Sequence, residues 1–207
     1  RAALHNAEDI QRKDIRIGDT VVVRRAGEVI PELVGPVEAL RTGKEQEFVM
    51  PDRCPSCGQP VVQPEGEVMT YCVNPACPAQ LVRRIEHFVS RGAMDIEGFG
   101  SRMAAIFVEA GLLKDVADLY YLKRDEVVAL PGMAELSTDN LLAAIEASKE
   151  RPMSRLLVAL GVRYVGSTVA RLLGQRYSSI DALTLATRED LEAIEGLGPH
   201  IAGSIVD

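Results

Sequence analysis

Cys54-Pro55-Ser56-Cys57, then fourteen residues, then Cys72-Val73-Asn74-Pro75-Ala76-Cys77: this stretch divides the chain in two. Two close cysteine pairs joined by a short ribbon can set four thiolates at the corners of a tetrahedron. Zinc favours such sulfur donors and imposes little geometry of its own. The second pair is spaced more widely than the common two-residue interval, which loosens its turn without breaking the geometry. Gly58 allows a tight turn after Cys57, residues 59–71 predict a hairpin turning at Pro64-Glu65-Gly66, and Pro78 closes the module. These are the chain's four cysteines, so the cluster uses every thiol. Buried or disulfide-bonded cysteines are the alternative. A closed site with four sulfurs and no His, Asp or Glu is structural rather than catalytic, and it supplies folding free energy to a segment too small for its own core.

Upstream, short apolar runs at residues 20–24, 29–37 and 47–50 predict strands, separated by the turn signals Ile17-Gly18-Asp19 and Arg25-Ala26-Gly27-Glu28. Pro31 places part of the second run at an edge or an exit. About three strands cannot close an oligonucleotide-binding barrel, which needs five. Residues 1–50 therefore read as a partial barrel or a curled sheet. Arg24 and Arg25 are candidates for a phosphate contact or for plain solvation.

Downstream, the hydrophobic period becomes helical. Residues 79–91 put Leu81, Ile85, Phe88 and Val89 on one stripe. A five-residue pattern then recurs as Ile96-Glu97-Gly98-Phe99-Gly100, Leu130-Pro131-Gly132-Met133-Ala134, Val162-Arg163-Tyr164-Val165-Gly166 and Ile194-Glu195-Gly196-Leu197-Gly198. Its last positions, 100, 134, 166 and 198, are spaced 34, 32 and 32 residues apart, an internal repeat. Each unit predicts helix, tight hairpin, helix. The apolar centre (Phe99, Met133, Val165, Leu197) plugs the helix pair, and Ala104, Ala170 and Ala202 allow close approach.

Such a hairpin presents backbone N–H groups at a helix N-terminus, where an anion is favoured. It grips a DNA phosphate without reading bases. The candidate contacts are Gly98, Gly100, Ser101 and Arg102; Arg163, Gly166, Ser167 and Thr168; and Gly196, Gly198 and His200. In the second unit Ala134 replaces glycine, Thr138 replaces the small alanine and Glu135 adds negative charge, so that hairpin reads as structural. In the third, Tyr164 stands where glycine would complete the pattern.

The 207 residues suit one large domain or two to three small modules. A hydrophobic fraction of 47% excludes disorder, and no apolar run is long enough to cross a bilayer. The net charge of −7 argues against a generally basic nucleic-acid binder, but backbone amides bind phosphate without surplus Lys or Arg. Acidic Glu146, Glu189, Asp190 and Glu192 are expected on the surface opposite the hairpins. The expected fold is multidomain and mixed: a partial oligonucleotide-binding β segment (1–50), a four-cysteine zinc finger (51–78) and a mainly α domain of four helix-hairpin-helix motifs (79–207). The chain starts without Met and stops on a helical pattern, which reads as an excised fragment.

This order resembles the C-terminal half of bacterial NAD-dependent DNA ligase. Arg1-Ala2-Ala3-Leu4-His5-Asn6, Ile17-Gly18-Asp19 and Arg25-Ala26-Gly27-Glu28-Val29-Ile30-Pro31 are similar to that family's oligonucleotide-binding signature, and Leu160-Gly161-Val162-Arg163-Tyr164-Val165-Gly166 to its third hairpin region. The resemblance implies a cytoplasmic bacterial monomer that clamps nicked duplex DNA through its backbone. It implies one structural zinc here, with NAD and magnesium serving the full-length enzyme. It also implies missing partner domains in the same chain, one for NAD recognition, one carrying the adenylylated lysine in a K-x-D-G motif, and a BRCT domain. No K-x-D-G occurs in these residues, so the fragment is expected not to ligate alone. The rivals are a DNA-repair accessory module outside the ligases and a zinc-linked αα scaffold.

Overall fold

The computed structural model describes all 207 residues except Arg1, Ala3, His5, Glu28 and Val29, and only the backbone of Ala26. Those five positions of the quoted oligonucleotide-binding signature lie outside the described residues. The chain forms two compact units, Arg1–Cys77 and Pro78–Asp207.

The first unit opens with a helix that the sequence reading missed, α1 (Ala7–Arg12). Asn6 caps it, its side chain accepting from the Glu8 and Asp9 amides, and acidic residues follow in the first turn where the helix dipole favours them. Only Ile10 is buried on this short helix, too little apolar periodicity to detect. Strands β1 (Arg16–Ile17), β2 (Val21–Ala26), β3 (Ile30–Pro36) and β4 (Gln46–Glu47) follow. They form two separate antiparallel pairs, β1 with β4 and β2 with β3, the latter bulged between Val22 and Val23. The expected third run, 47–50, contributes only its first residue to a strand. These sheets are small and open. Ile10, Ile15 and Leu33 are their buried core, with Val21 and Phe48 packed against it. Arg41 fastens the turns: its guanidinium reaches Asp19 at 2.8 Å and Asp14 at 2.7 Å. That pairing, helped by the Arg16 backbone N–H, holds the Asp19 carboxyl down at about 2.

The knuckle hairpin pairs β5 (Val61–Val62) with β6 (Tyr71–Cys72). Its turn falls where the sequence placed it: the Glu67 amide donates to the Pro64 carbonyl at 3.0 Å, with Gly66 at φ 79°.

The second unit is helical. Pro78, read in the sequence as the end of the knuckle, is the first residue of α2 (Pro78–Val89), a position where its missing N–H is harmless. Then come α3 (Ser101–Glu109), a 3₁₀ turn (Val116–Tyr121), α4 (Arg124–Val128), α5 (Glu135–Ser148), α6 (Met153–Leu160), α7 (Ser167–Arg176), α8 (Ile180–Thr184), α9 (Arg188–Glu192) and α10 (Pro199–Val206). Each repeated pentad joins two helices that pack together: α2 with α3, α4 with α5, α6 with α7 and α9 with α10. One core centres on Ile85, Phe88, Phe107, Leu119 and Leu141, the other on Leu157, Val165, Leu173, Leu191 and Leu197. Helix α6 serves both, with Ala159 in the first and Leu157 in the second. Each fully buried Phe or Leu contributes about 2–3 kcal/mol. The His87 imidazole meets the Val158 carbonyl at 2.7 Å, and Arg155 donates to the Ala93 carbonyl at 2.6 Å, tying α6 to α2 and to the turn after it.

Candidate zinc knuckle and uncapped hairpins

The four sulfurs of Cys54, Cys57, Cys72 and Cys77 lie within 4.8 Å of one another. Cys54 and Cys77 are separated by 3.9 Å, Cys57 and Cys72 by 3.6 Å. Both distances are far beyond an S–S bond of about 2.05 Å. They match the roughly 3.8 Å edge of a tetrahedron with metal–sulfur bonds of about 2.3 Å. Two turns aim the thiols. The Cys54 amide donates to the Gln59 carbonyl and the Gly58 amide to the Cys54 carbonyl, both at 2.8 Å, with Gly58 at φ 68°. Asn74 builds the second turn, its side chain accepting from the Ala76 amide at 3.0 Å. The Asn74 side chain and the Gln59 backbone also hold the Cys57 thiol down at about 6. Cys72 goes the other way: although the Asn74 backbone favours its thiolate, desolvation and the neighbouring sulfurs push it up to about 11. Without a cation, four thiolates this close repel. A divalent soft metal removes that conflict, so the donor set fits zinc.

The four hairpins repeat one backbone geometry. Their third pentad residues, Gly98, Gly132, Tyr164 and Gly196, have φ of 82°, 85°, 67° and 93°. Glycine is needed there for the turn, and Tyr164 is the exception. Their last residues behave differently. Gly100, Gly166 and Gly198 have φ of −88°, −84° and −85° with extended ψ, which any residue adopts. A Cβ added at any of the three meets nothing within 4 Å. Ala134 fills the same place in the second hairpin. The first and fourth pentads carry two glycines each. The fold requires only the first, and the second leaves the helix end bare.

Side-chain capping differs among the helices. Helices α1, α8 and α9 and the 3₁₀ turn at Val116 are capped by the side chains of Asn6, Ser179, Thr187 and Asp115. Helices α3, α7 and α10 start after glycines with no side-chain cap, and α4 and α6, which start after Lys123 and Pro152, have none either. Their first amides lack intrahelical acceptors and face the positive end of the helix dipole. The second hairpin differs at the residue before its helix: the Ala134 amide donates to the Ser137 hydroxyl, which donates to the Ala134 carbonyl, each at 2.9 Å, while no side chain caps the α5 amides that follow.

The named side chains fall around these ends. Gly98, Gly100, Ser101 and Arg102 are exposed, as are Arg163, Gly166, Ser167, Thr168, Gly196 and His200, while Gly198 is half-buried. Phe99, Val165 and Leu197 are buried as plugs and Met133 half-buried. Ala104, Ala170 and Ala202 are wholly buried beneath them. The third and fourth hairpins lie side by side: the Ser204 hydroxyl of α10 donates to the Arg163 carbonyl at 2.8 Å. Nothing in the sequence announces that contact. In the β segment, Arg24 is bound to Glu32 at 2.9 Å, and Arg25, its neighbour on the strand, points to the opposite face. Glu146, Glu189, Asp190 and Glu192 are exposed, as expected. Glu192 is bound to Arg188 at 2.9 Å, and that arginine also donates to the Pro199 carbonyl at 3.1 Å, so an acid expected far from the hairpins is tied to the fourth.

Three known families match this chain in the same order. Residues 1–45 match the NAD-dependent DNA ligase OB-fold domain, 53–79 its C4 zinc finger domain, and 155–207 the helix-hairpin-helix motif. Among curated proteins, the chain is 53% identical over 207 residues to a DNA ligase of Chloroflexus aurantiacus, 50% to one of Frankia casuarinae and 48% to one of Syntrophus aciditrophicus. Each match covers the whole of this chain but 29%, 29% and 31% of the relative. The chain thus spans about three-tenths of the length of the proteins it resembles.

Proposed function

We propose, from the premise that this chain belongs to the bacterial NAD-dependent DNA ligase family as its OB-fold, zinc-finger and helix-hairpin-helix segment, that it grips nicked duplex DNA by the backbone. The catalytic steps then belong to the rest of the protein. We divide the segment at 1–50, 51–78 and 79–207, with four helix-hairpin-helix motifs in the last part. The observation that carries the reading is the contrast at the helix ends. Three hairpins leave their amides bare after a glycine that the turn does not need, while the second puts Ala134 there and engages its amide with Ser137.

In this reading the amides that follow Gly100, Gly166 and Gly198 donate to phosphate oxygens. Ser101, Ser167 and Thr168 add hydroxyl donors. Arg102 and Arg163 add positive charge, His200 adds a ring N–H donor, and Arg25 reaches the strand from the β segment. Charge-assisted bonds of this kind are each worth about 1.5–3 kcal/mol. All of them address the backbone, so they carry no sequence preference. Zinc at Cys54, Cys57, Cys72 and Cys77 is structural and holds the knuckle shut. NAD and magnesium serve the absent catalytic domains: no K-x-D-G occurs in this chain, and the AMP transfer that precedes phosphodiester formation needs that lysine.

Binding to two duplexes of unrelated sequence tests the proposal. Affinity should be the same for both and should fall at least tenfold between about 50 and about 200 mM salt. The chain incubated with labelled NAD should acquire no AMP. Affinity that follows sequence, or ignores salt, contradicts the reading.

A further inference from the structure

We propose that Tyr164 is itself a DNA contact: its ring and the Arg163 guanidinium receive a sugar–phosphate of the bound strand in a hollow shared by the third and fourth hairpins. This rests on the function proposed above and adds a residue to it. Tyr164 holds φ 67° where the other three hairpins have glycine. An aromatic L-residue is disfavoured in that conformation. Packing does not compensate, because 56% of the residue is exposed, while its neighbour Val165, 6% exposed, fills the core. An outlier that the core does not use points to a surface role.

The surroundings say what kind. The side chain lines a hollow of about 370 Å³ whose wall also carries the two cations Arg163 and Arg188, the His200 ring and one acid, Asp207. The Arg163 guanidinium carbon stands 5.1 Å from the ring centroid. Arg188 is engaged with Glu192 and the Pro199 carbonyl, and Ser204 holds the Arg163 carbonyl, so the walls are fixed from behind. A flat ring with a phenol at its edge and a cation on its face suits a deoxyribose phosphate. The ring lies on the sugar, the O–H donates to a phosphate oxygen, and the guanidinium balances the charge.

The proposal predicts opposite signs for stability and binding. Tyr164→Gly relieves the backbone and should raise the melting temperature by a few degrees. The same change should weaken binding to nicked duplex on the order of tenfold. Tyr164→Asn, which tolerates the left-handed turn, should keep the fold and lose the same affinity, with Tyr164→Phe in between. Wild-type affinity in the Gly and Asn variants overturns the proposal, even while Gly100→Val loses affinity and the wider reading stands. Absence of salt-sensitive duplex binding by the unaltered chain takes both down. Titration with AMP separates a strand's phosphodiester from a free nucleotide: Tyr164-dependent binding of AMP but not of duplex also overturns it.

Discussion

At the scale of single residues, the chain shows what a repeat keeps and what it gives up. The position four residues after each pentad lies beneath the helix crossing. Alanine fills it three times, and Thr138 fills it once. Thr138 is wholly buried, and its hydroxyl has no hydrogen-bond partner among the described residues. An unsatisfied buried hydroxyl costs about 1–3 kcal/mol. Thr138→Val keeps the shape and removes that atom. It should raise stability by about 1 kcal/mol, read as a higher melting temperature; a lower one would mean that the hydroxyl has a partner. Small residues at these positions were legible in the sequence because spacing alone exposes them. The hydroxyl's isolation was not, since it depends on which neighbours surround it in space.

At the scale of elements, each piece of the chain is held differently. The knuckle has almost no core: Cys54 and Cys77 are its buried apolar residues, at 8% and 1% exposure. Its stability must come from the metal. The purified chain should carry one zinc. Removing it with a chelator, or replacing Cys57 with Ser, should open residues 51–78 to proteolysis while the helical signal of the second unit stays. A hairpin that remains protected with no bound metal would contradict this. The knuckle was readable from four residues and two turns because metal ligation needs only local spacing. The hairpin helices were readable for a similar reason: their period and the glycine at the positive-φ position are local signals. Helix α1 and the pairing of β1 with β4 were not. One is a single short turn set by Asn6, and the other brings together residues some thirty apart in two-residue strands. The difference of the second hairpin was half legible. Ala134 and Glu135 marked it as different, but the Ser137 bond needed coordinates.

At the scale of the whole molecule, the net charge of −7 and a DNA-binding function are compatible because affinity is assigned to a few local donors. The account therefore stands or falls on the glycines that the fold does not need. Gly100, Gly166 and Gly198 accept a Cβ into open space at a φ that any residue adopts, so valine at each should keep the fold and the circular dichroism, with a lower melting temperature because valine is a poorer N-cap than glycine. The decisive measurement is the affinity of the zinc-loaded chain for a labelled nicked duplex, for wild type, for Gly100→Val/Gly166→Val/Gly198→Val and for Ala134→Val. The triple variant should lose at least a hundredfold with its fold intact, and Ala134→Val should bind as wild type does. A folded triple variant that keeps full affinity, or an equal loss from Ala134→Val, would contradict the account.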